Sequence, residues 1–247
     1  MKCKKYDIEI GLKNSQKEWN GDFLKTLEDS LGKILNSRQK LMRSYLLSYP
    51  LLVKHFSKIG EIGIDEFVLG VYMIYGWMPR ALCFNEGKPL SQKEFDALRT
   101  KLLALKKCDE DHWGEVLKTD AEDFFPVLQS VTNGSIVGMS KLLHFVHPKV
   151  FPIYDSNIAE VLGEVKNVED YIEYVKAFQA FKLKIENGDG GEKFEEICVR
   201  FKEDCIDKFG SREEFSVTPV RAIELCMFQI GKSIKDFKKN SKKEAQV

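Results

Sequence analysis

Apolar residues recur at intervals of three and four along almost the whole chain, a spacing that commits it to amphipathic helices and leaves little for a sheet. Phe23, Leu24, Leu27, Leu31, Ile34 and Leu35 form one stripe, followed by Leu41, Met42, Tyr45 and Leu46. They predict a helix over 20–48, broken near Ser37 and stopped or restarted by Pro50 before Leu51 to Phe56. Further helices are expected over 64–75, 91–107, 120–129, 168–184, 191–209 and 218–234. Ser91 with Glu94 forms a capping box, and Thr218-Pro219 offers an N-cap followed by proline at the first helical position. Only YDIEIGL at 6–12 reads as a strand. The expectation is an all-α protein: a helical bundle of one domain, 1–247, in two lobes around a cleft. IENGDGGEKF at 185–194 is expected to be a mobile loop.

A chain of 247 residues with 43% hydrophobic content can bury one large core or two modest ones. The apolar run from Phe67 to Pro79 is broken by Gly70 and Gly76 and is too short to span a bilayer, which needs ~20 residues. MKCKKYDIEI carries charge without the apolar stretch of a secretory leader, so a cytoplasmic protein without membrane contact is expected, as a monomer. Six cysteines occur without any C-x-x-C pair, which argues against zinc or iron–sulfur ligation and for reduced core thiols. Cys198 and Cys205 fall on one helix face, as burial would require. No cofactor and no metal is expected. Lys and Arg (38) balance Asp and Glu (38), which does not favour nucleic-acid binding. The balance is uneven, however: residues 232–247 hold six lysines against two acids, and the basic tail at 235–247 is either a frayed solvated end or a source of phosphate attraction.

The segment 131–163, VTNGSIVGMSKLLHFVHPKVFPIYDSNIAEVLG, has its own punctuation. Gly134 and Gly138 frame a short turn, a helix begins near Met139 or Ser140, Pro148 and Pro152 interrupt helical pairing, and Asp155 stands just before another helix. Free backbone N–H groups at such a turn, ahead of a helix N-terminus, suit a phosphate. This segment resembles the hairpin and catalytic-aspartate region of the helix-hairpin-helix DNA glycosylases, with Gly138 in the hairpin, Lys141 just behind it and Asp155 in PIYDSNIAEVLG. The resemblance implies a helix-hairpin-helix element near the cleft and double-stranded DNA as partner. The implied activity is cleavage of the N-glycosidic bond of a flipped base, leaving an abasic site. Damaged purines, damaged pyrimidines and modified bases of viral DNA, the last implying a defence role, are all open substrates.

Asp155 would stabilise the oxocarbenium-like sugar or orient water. Equally, it can be a helix N-cap, although Asn157 with Glu160 offers a capping box of its own. Lys141 would need a desolvated amine of lowered pKa to attack the anomeric carbon. It also suits a surface position beside Leu142 and Leu143, and it ranks second to Asp155, so base release without efficient strand nicking is expected. Gly134, Gly138, Ser140 and Arg80 are the candidate DNA contacts. Tyr75, Trp77, His144, Tyr154 and Asn157 are the candidate base pocket, because a flipped base needs flat side chains to stack on. The aromatics of 72–79 fit core packing as well. His144 and His147 are three apart but lack a third metal ligand. The competing reading is a helical DNA-binding or protein-interaction protein without catalysis.

Overall fold

The computed structural model describes residues 6–15, 21–77, 90–118, 121–209 and 217–244. Among them are twelve α-helices and no strand: α1 (Ile8–Asn14), α2 (Phe23–Leu35), α3 (Lys40–Phe56), α4 (Ile64–Tyr75), α5 (Gln92–Lys107), α6 (Trp113–Lys118), α7 (Ala121–Ser130), α8 (Ile136–Val146), α9 (Ile158–Leu162), α10 (Val168–Glu186), α11 (Gly191–Phe209) and α12 (Pro219–Glu244). The all-α expectation holds. No described helix is long and apolar enough to cross a membrane.

Helix α8 is the hub. Every residue from Gly138 to Val146 is buried, because α3, α4, α5, α7 and α10 all pack around it. A helix surrounded in this way loses its polar face, so Ser140, Lys141 and His144 are carried into the core with their apolar neighbours. Helix α12 packs on α2 and α9, and α1 packs on α9 and α10. One continuous apolar cluster joins all of these layers, with Cys198 and Cys205 on the buried side of α11.

Several local expectations are corrected. The segment 6–12 is not a strand: Asp7 caps α1 by accepting the Ile10 N–H at 3.0 Å, and Ile8 and Leu12, one turn apart, are buried. Gly11 lets α1 approach α9, since a β-carbon there would lie 2.6 Å from Leu162 Cδ2 and 2.7 Å from the Val161 carbonyl oxygen. Pro50 does not stop a helix. It sits inside α3, where Met42, Leu46, Tyr49, Leu52 and Phe56 continue a single buried stripe past it; burial of that stripe outweighs the lost hydrogen bond. The expected loop at 185–194 shrinks to the residues between Glu186 and Gly191. The basic tail is not frayed from 235 onward, because α12 runs to Glu244. Arg80, Cys3 and Cys83 lie outside the described residues.

The turn between α7 and α8 also differs from expectation. Asn133 (φ 53°) and Gly134 (φ 63°) both adopt the left-handed conformation, and the Gly134 N–H donates to the Gln129 carbonyl at 2.8 Å, closing α7. Helix α8 starts at Ile136, earlier than Met139, with Ser135 as N-cap accepting the Gly138 N–H at 3.2 Å. Gly138 is thus helical and buried rather than part of the turn. Its lack of a side chain serves packing: a β-carbon would lie 2.7 Å from the Tyr75 hydroxyl and 3.2 Å from Thr132 Cβ.

Candidate active site

Residues 148–155 run between α8 and α9 as irregular backbone through the core. Two prolines keep this stretch out of a helix, so its buried carbonyls need partners from elsewhere. From Pro148 to Tyr154 side chains supply every one, and the Asp155 carbonyl accepts the Ala159 N–H at 3.0 Å. Thr218 donates to the Pro148 carbonyl at 2.8 Å, and Gln179 to those of Lys149 (3.1 Å) and Val150 (2.6 Å). His144 Nδ1–H reaches Phe151 at 2.7 Å, Tyr171 reaches Pro152 at 3.0 Å, Tyr174 reaches Ile153 at 2.8 Å and Ser140 reaches Tyr154 at 3.3 Å. Two amides are held as well: Ile153 N–H by Glu224 at 3.3 Å and Tyr154 N–H by Ser140 Oγ at 3.0 Å. The donors and acceptors come from α8, α10, α12 and Thr218 at the head of α12, and together these elements fix the backbone that ends in Asp155.

Asp155 is the local cap of α9. Its Oδ1 accepts the Asn157 N–H at 2.8 Å and the Ile158 N–H at 3.0 Å, and Oδ2 lies 3.4 Å from Asn157 Nδ2. Asn157 makes no side-chain cap and has helical φ and ψ (−80°, −44°), so the expected Asn157–Glu160 capping box is absent. These bonds hold the carboxylate in one orientation.

Lys141 is not at the surface. It is 6% exposed, and its ammonium donates to the Trp77 carbonyl oxygen at 3.1 Å. Burial lowers its pKa to about 8; the charges of Asp155 and Glu224 pull it back up, and Arg221 pushes it further down.

Asp155 and Lys141 line one cavity of about 540 Å³. Trp77 and Tyr45 form an aromatic wall, with ring centroids 4.9 Å apart and the Tyr45 hydroxyl donating to the Trp77 carbonyl at 3.1 Å. The indole N–H of Trp77 donates to Ser48 Oγ at 2.8 Å, which fixes the ring. Ser135, at the head of α8, and Asn157 are also in the lining. Arg221 and Glu224, one turn apart on α12 and joined by a salt bridge, line it as well. The Arg221 guanidinium lies 4.9 Å from the Tyr49 ring centroid and 5.7 Å from that of Trp77. Burial raises the Glu224 pKa to about 7 against the opposing pull of Arg221. A cavity of this size, mostly apolar with a few convergent charged groups, suits a small-molecule moiety such as a base.

Of the candidate pocket residues, Trp77 and Asn157 line this cavity and Tyr75, His144 and Tyr154 do not. Tyr75 is packed against Gly138. His144 is fully buried, with Nε2 2.9 Å from the Tyr49 hydroxyl, and burial lowers its pKa to about 3, so it is a neutral core histidine. The Tyr154 hydroxyl accepts the Val165 N–H at 3.0 Å and its ring packs on Tyr174. Ser140 and Gly138 are buried and cannot touch DNA directly; of the expected hairpin contacts only Gly134 sits in the turn. His147 is occupied by the Cys108 carbonyl at 3.2 Å, and no group of three metal-ligating side chains exists among the described residues.

Arg221, Glu224 and Tyr45 did not emerge from the sequence. A signal for the first two was nonetheless present, since VRAIELCMFQI places both charges on the otherwise apolar face of a helix, where only a paired or functional charge is tolerated. No protein-family model, curated protein or solved structure matches this chain.

Proposed function

We propose that the protein is a DNA glycosylase that removes a damaged or modified base flipped from duplex DNA and leaves an abasic site. The observation that carries this reading is the convergence of Asp155 and Lys141, from separate elements, on one cavity with an aromatic wall. In this reading the base enters beside Trp77 and Tyr45, and the Asn133-Gly134 turn ahead of α8 faces the DNA backbone as the hairpin of a helix-hairpin-helix element. The bond between C1′ and the base nitrogen breaks, its electron pair leaves with the base, and the nitrogen takes up a proton. The Asp155 carboxylate faces the positive charge that grows on the sugar, and water adds its oxygen to C1′ while losing a proton. Lys141 supplies positive charge beside the departing base and is secondary to Asp155. Modified bases of viral DNA belong in the substrate panel with damaged purines and pyrimidines, because the pocket selects by shape and polar complementarity rather than by origin.

Asp155→Asn tests the reading. Asparagine is itself a good N-cap, so folding and DNA binding persist while the charge is lost. Alkali-labile sites are counted in duplexes carrying each class of base. The expected result is release by the wild type and loss of most of it in the variant; undiminished release by the variant overturns the assignment of Asp155. A wild type that binds duplex DNA but releases no base from any substrate supports instead a non-catalytic DNA-binding protein, the reading favoured by a net charge of zero.

A further inference from the structure

The face of α12 that walls the cavity continues beyond it as a strip of lysines. At 100° per residue, Arg221, Leu225 and Phe228, which line the cavity, share an arc of the helix with Lys232, Lys235, Lys239 and Lys242. Gly231 marks the crossing, where α12 lies against the backbone of Asn157 so closely that a β-carbon would be 1.8 Å from the Asn157 carbonyl oxygen. The strip therefore begins at the rim formed by Ser156 and Asn157, both of which line the cavity.

Its charges are largely uncompensated. Lys232 donates to Gln39 Oε1 and Lys235 to Ser156 Oγ, each at 2.7 Å, and both partners are neutral. Lys239 and Lys242 are exposed. Lys238, to one side, pairs with Glu160 at 2.6 Å. Residues 232–244 carry six lysines against Asp236 and Glu244, a surplus of four in a chain whose total is zero, so the positive field is concentrated here.

We propose that this lysine strip is a phosphate track: it binds the sugar–phosphate backbone of a nucleic-acid strand and leads that strand to the cavity mouth. From Lys232 to Lys242 the helix rises about 15 Å, against about 3.4 Å of axis per phosphate on one strand, so the strip spans roughly four phosphates. Contacts of this kind position a strand without reading its sequence. The destination of the track rests on the glycosylase reading; the track itself does not.

The test is the salt dependence of binding to a labelled duplex, followed by fluorescence polarisation. Changing Lys232, Lys235, Lys239 and Lys242 together to Gln is expected to weaken binding at least tenfold at low salt. It should also lower the slope of log K against log salt by about 3.6, at about 0.9 for each phosphate no longer neutralised. The same four positions changed to Arg keep the slope. The exposed pair Lys239→Gln and Lys242→Gln alone should lower it by about half as much, which covers a quadruple variant that fails to fold. An unchanged slope in folded Gln variants overturns the proposal, as does tighter binding of the wild type to phosphatidylserine vesicles than to DNA. If the Gln variants lose the slope but the wild type releases no base, the track stands and the glycosylase reading falls. If base is released and the slope is insensitive to these lysines, the reverse holds.

Discussion

The Cα of Gly231 is pressed against the carbonyl oxygen of Asn157, two residues after Asp155, with 1.8 Å left for any β-carbon. In most helix interiors glycine is a weakness, and alanine would be better by up to about 1 kcal/mol. Here the opposite is expected. Gly231→Ala must push α12 from the 155–157 backbone and should destabilise the protein by about 1–3 kcal/mol, as overpacking does. Gly32, on α2, has nothing within 4 Å of its β-position and is the control: Gly32→Ala should stabilise by about 0.5–1 kcal/mol. Urea midpoints measure both, and a stabilised Gly231→Ala would refute the close approach.

The carbonyl clamp on 148–154 makes a second prediction. Tyr174→Phe removes the hydroxyl that donates to the Ile153 carbonyl and leaves a buried acceptor unmet, at a cost of about 1–3 kcal/mol. Because that carbonyl lies two residues before Asp155, base release should fall further than the stability loss explains at temperatures where the variant is fully folded.

Glu224 should reveal itself in stability against pH. Its folded pKa is raised from 4.5 to about 7 by burial. Between those values the unfolded chain gives up the proton and the folded protein keeps it, so this group's contribution to stability falls as pH rises from about 4.5 to 7. Glu224→Gln, which mimics the protonated form and can still accept from Ile153, should match the wild type near pH 4. By pH 7 it should exceed it. Denaturant curves across that range check the sign; a variant that loses ground as pH rises would show that Glu224 is ionised and favourable at neutral pH.

For Lys141 the direction is reversed. Its folded pKa, about 8 against 10.5, means that the unfolded chain holds the proton between those values while the folded protein does not, and stability from this group rises with pH across that window. Lys141→Met should therefore be more stable than the wild type at pH 7 and lose that advantage by about pH 10.

The same amine decides strand nicking. Borohydride added during turnover would trap an imine with an abasic site, and only the neutral amine forms it. The adduct should be minor beside released base at pH 7, rise through pH 8, and vanish in Lys141→Gln. An adduct as abundant as released base at pH 7 would make Lys141 the nucleophile and overturn the leading role of Asp155.

Helix positions were legible in the residues themselves because periodicity and caps are local. Helix α4 at Ile64–Tyr75, α11 at Gly191–Phe209 and the Ser91–Glu94 box at the head of α5 all stand where spacing placed them. Asp155 and Lys141 could likewise be singled out, since a proline-bounded aspartate and a lysine beside an apolar run are visible in a line of text. What they face was not. Seven residues at 6–12 are too few to separate two periodicities, and α1 is a helix because α9 and α10 offer it a surface and no strand among the described residues is there to pair with it. Pro50 stays in α3 because a buried stripe runs through it. Gly138 became a packing glycine because Tyr75 lies over it. Lys141 lost its solvent because five helices close around α8, and Glu224 reaches Ile153 from 71 residues away. Burial and long-range hydrogen bonding depend on which elements meet, and that is decided only when the whole core packs.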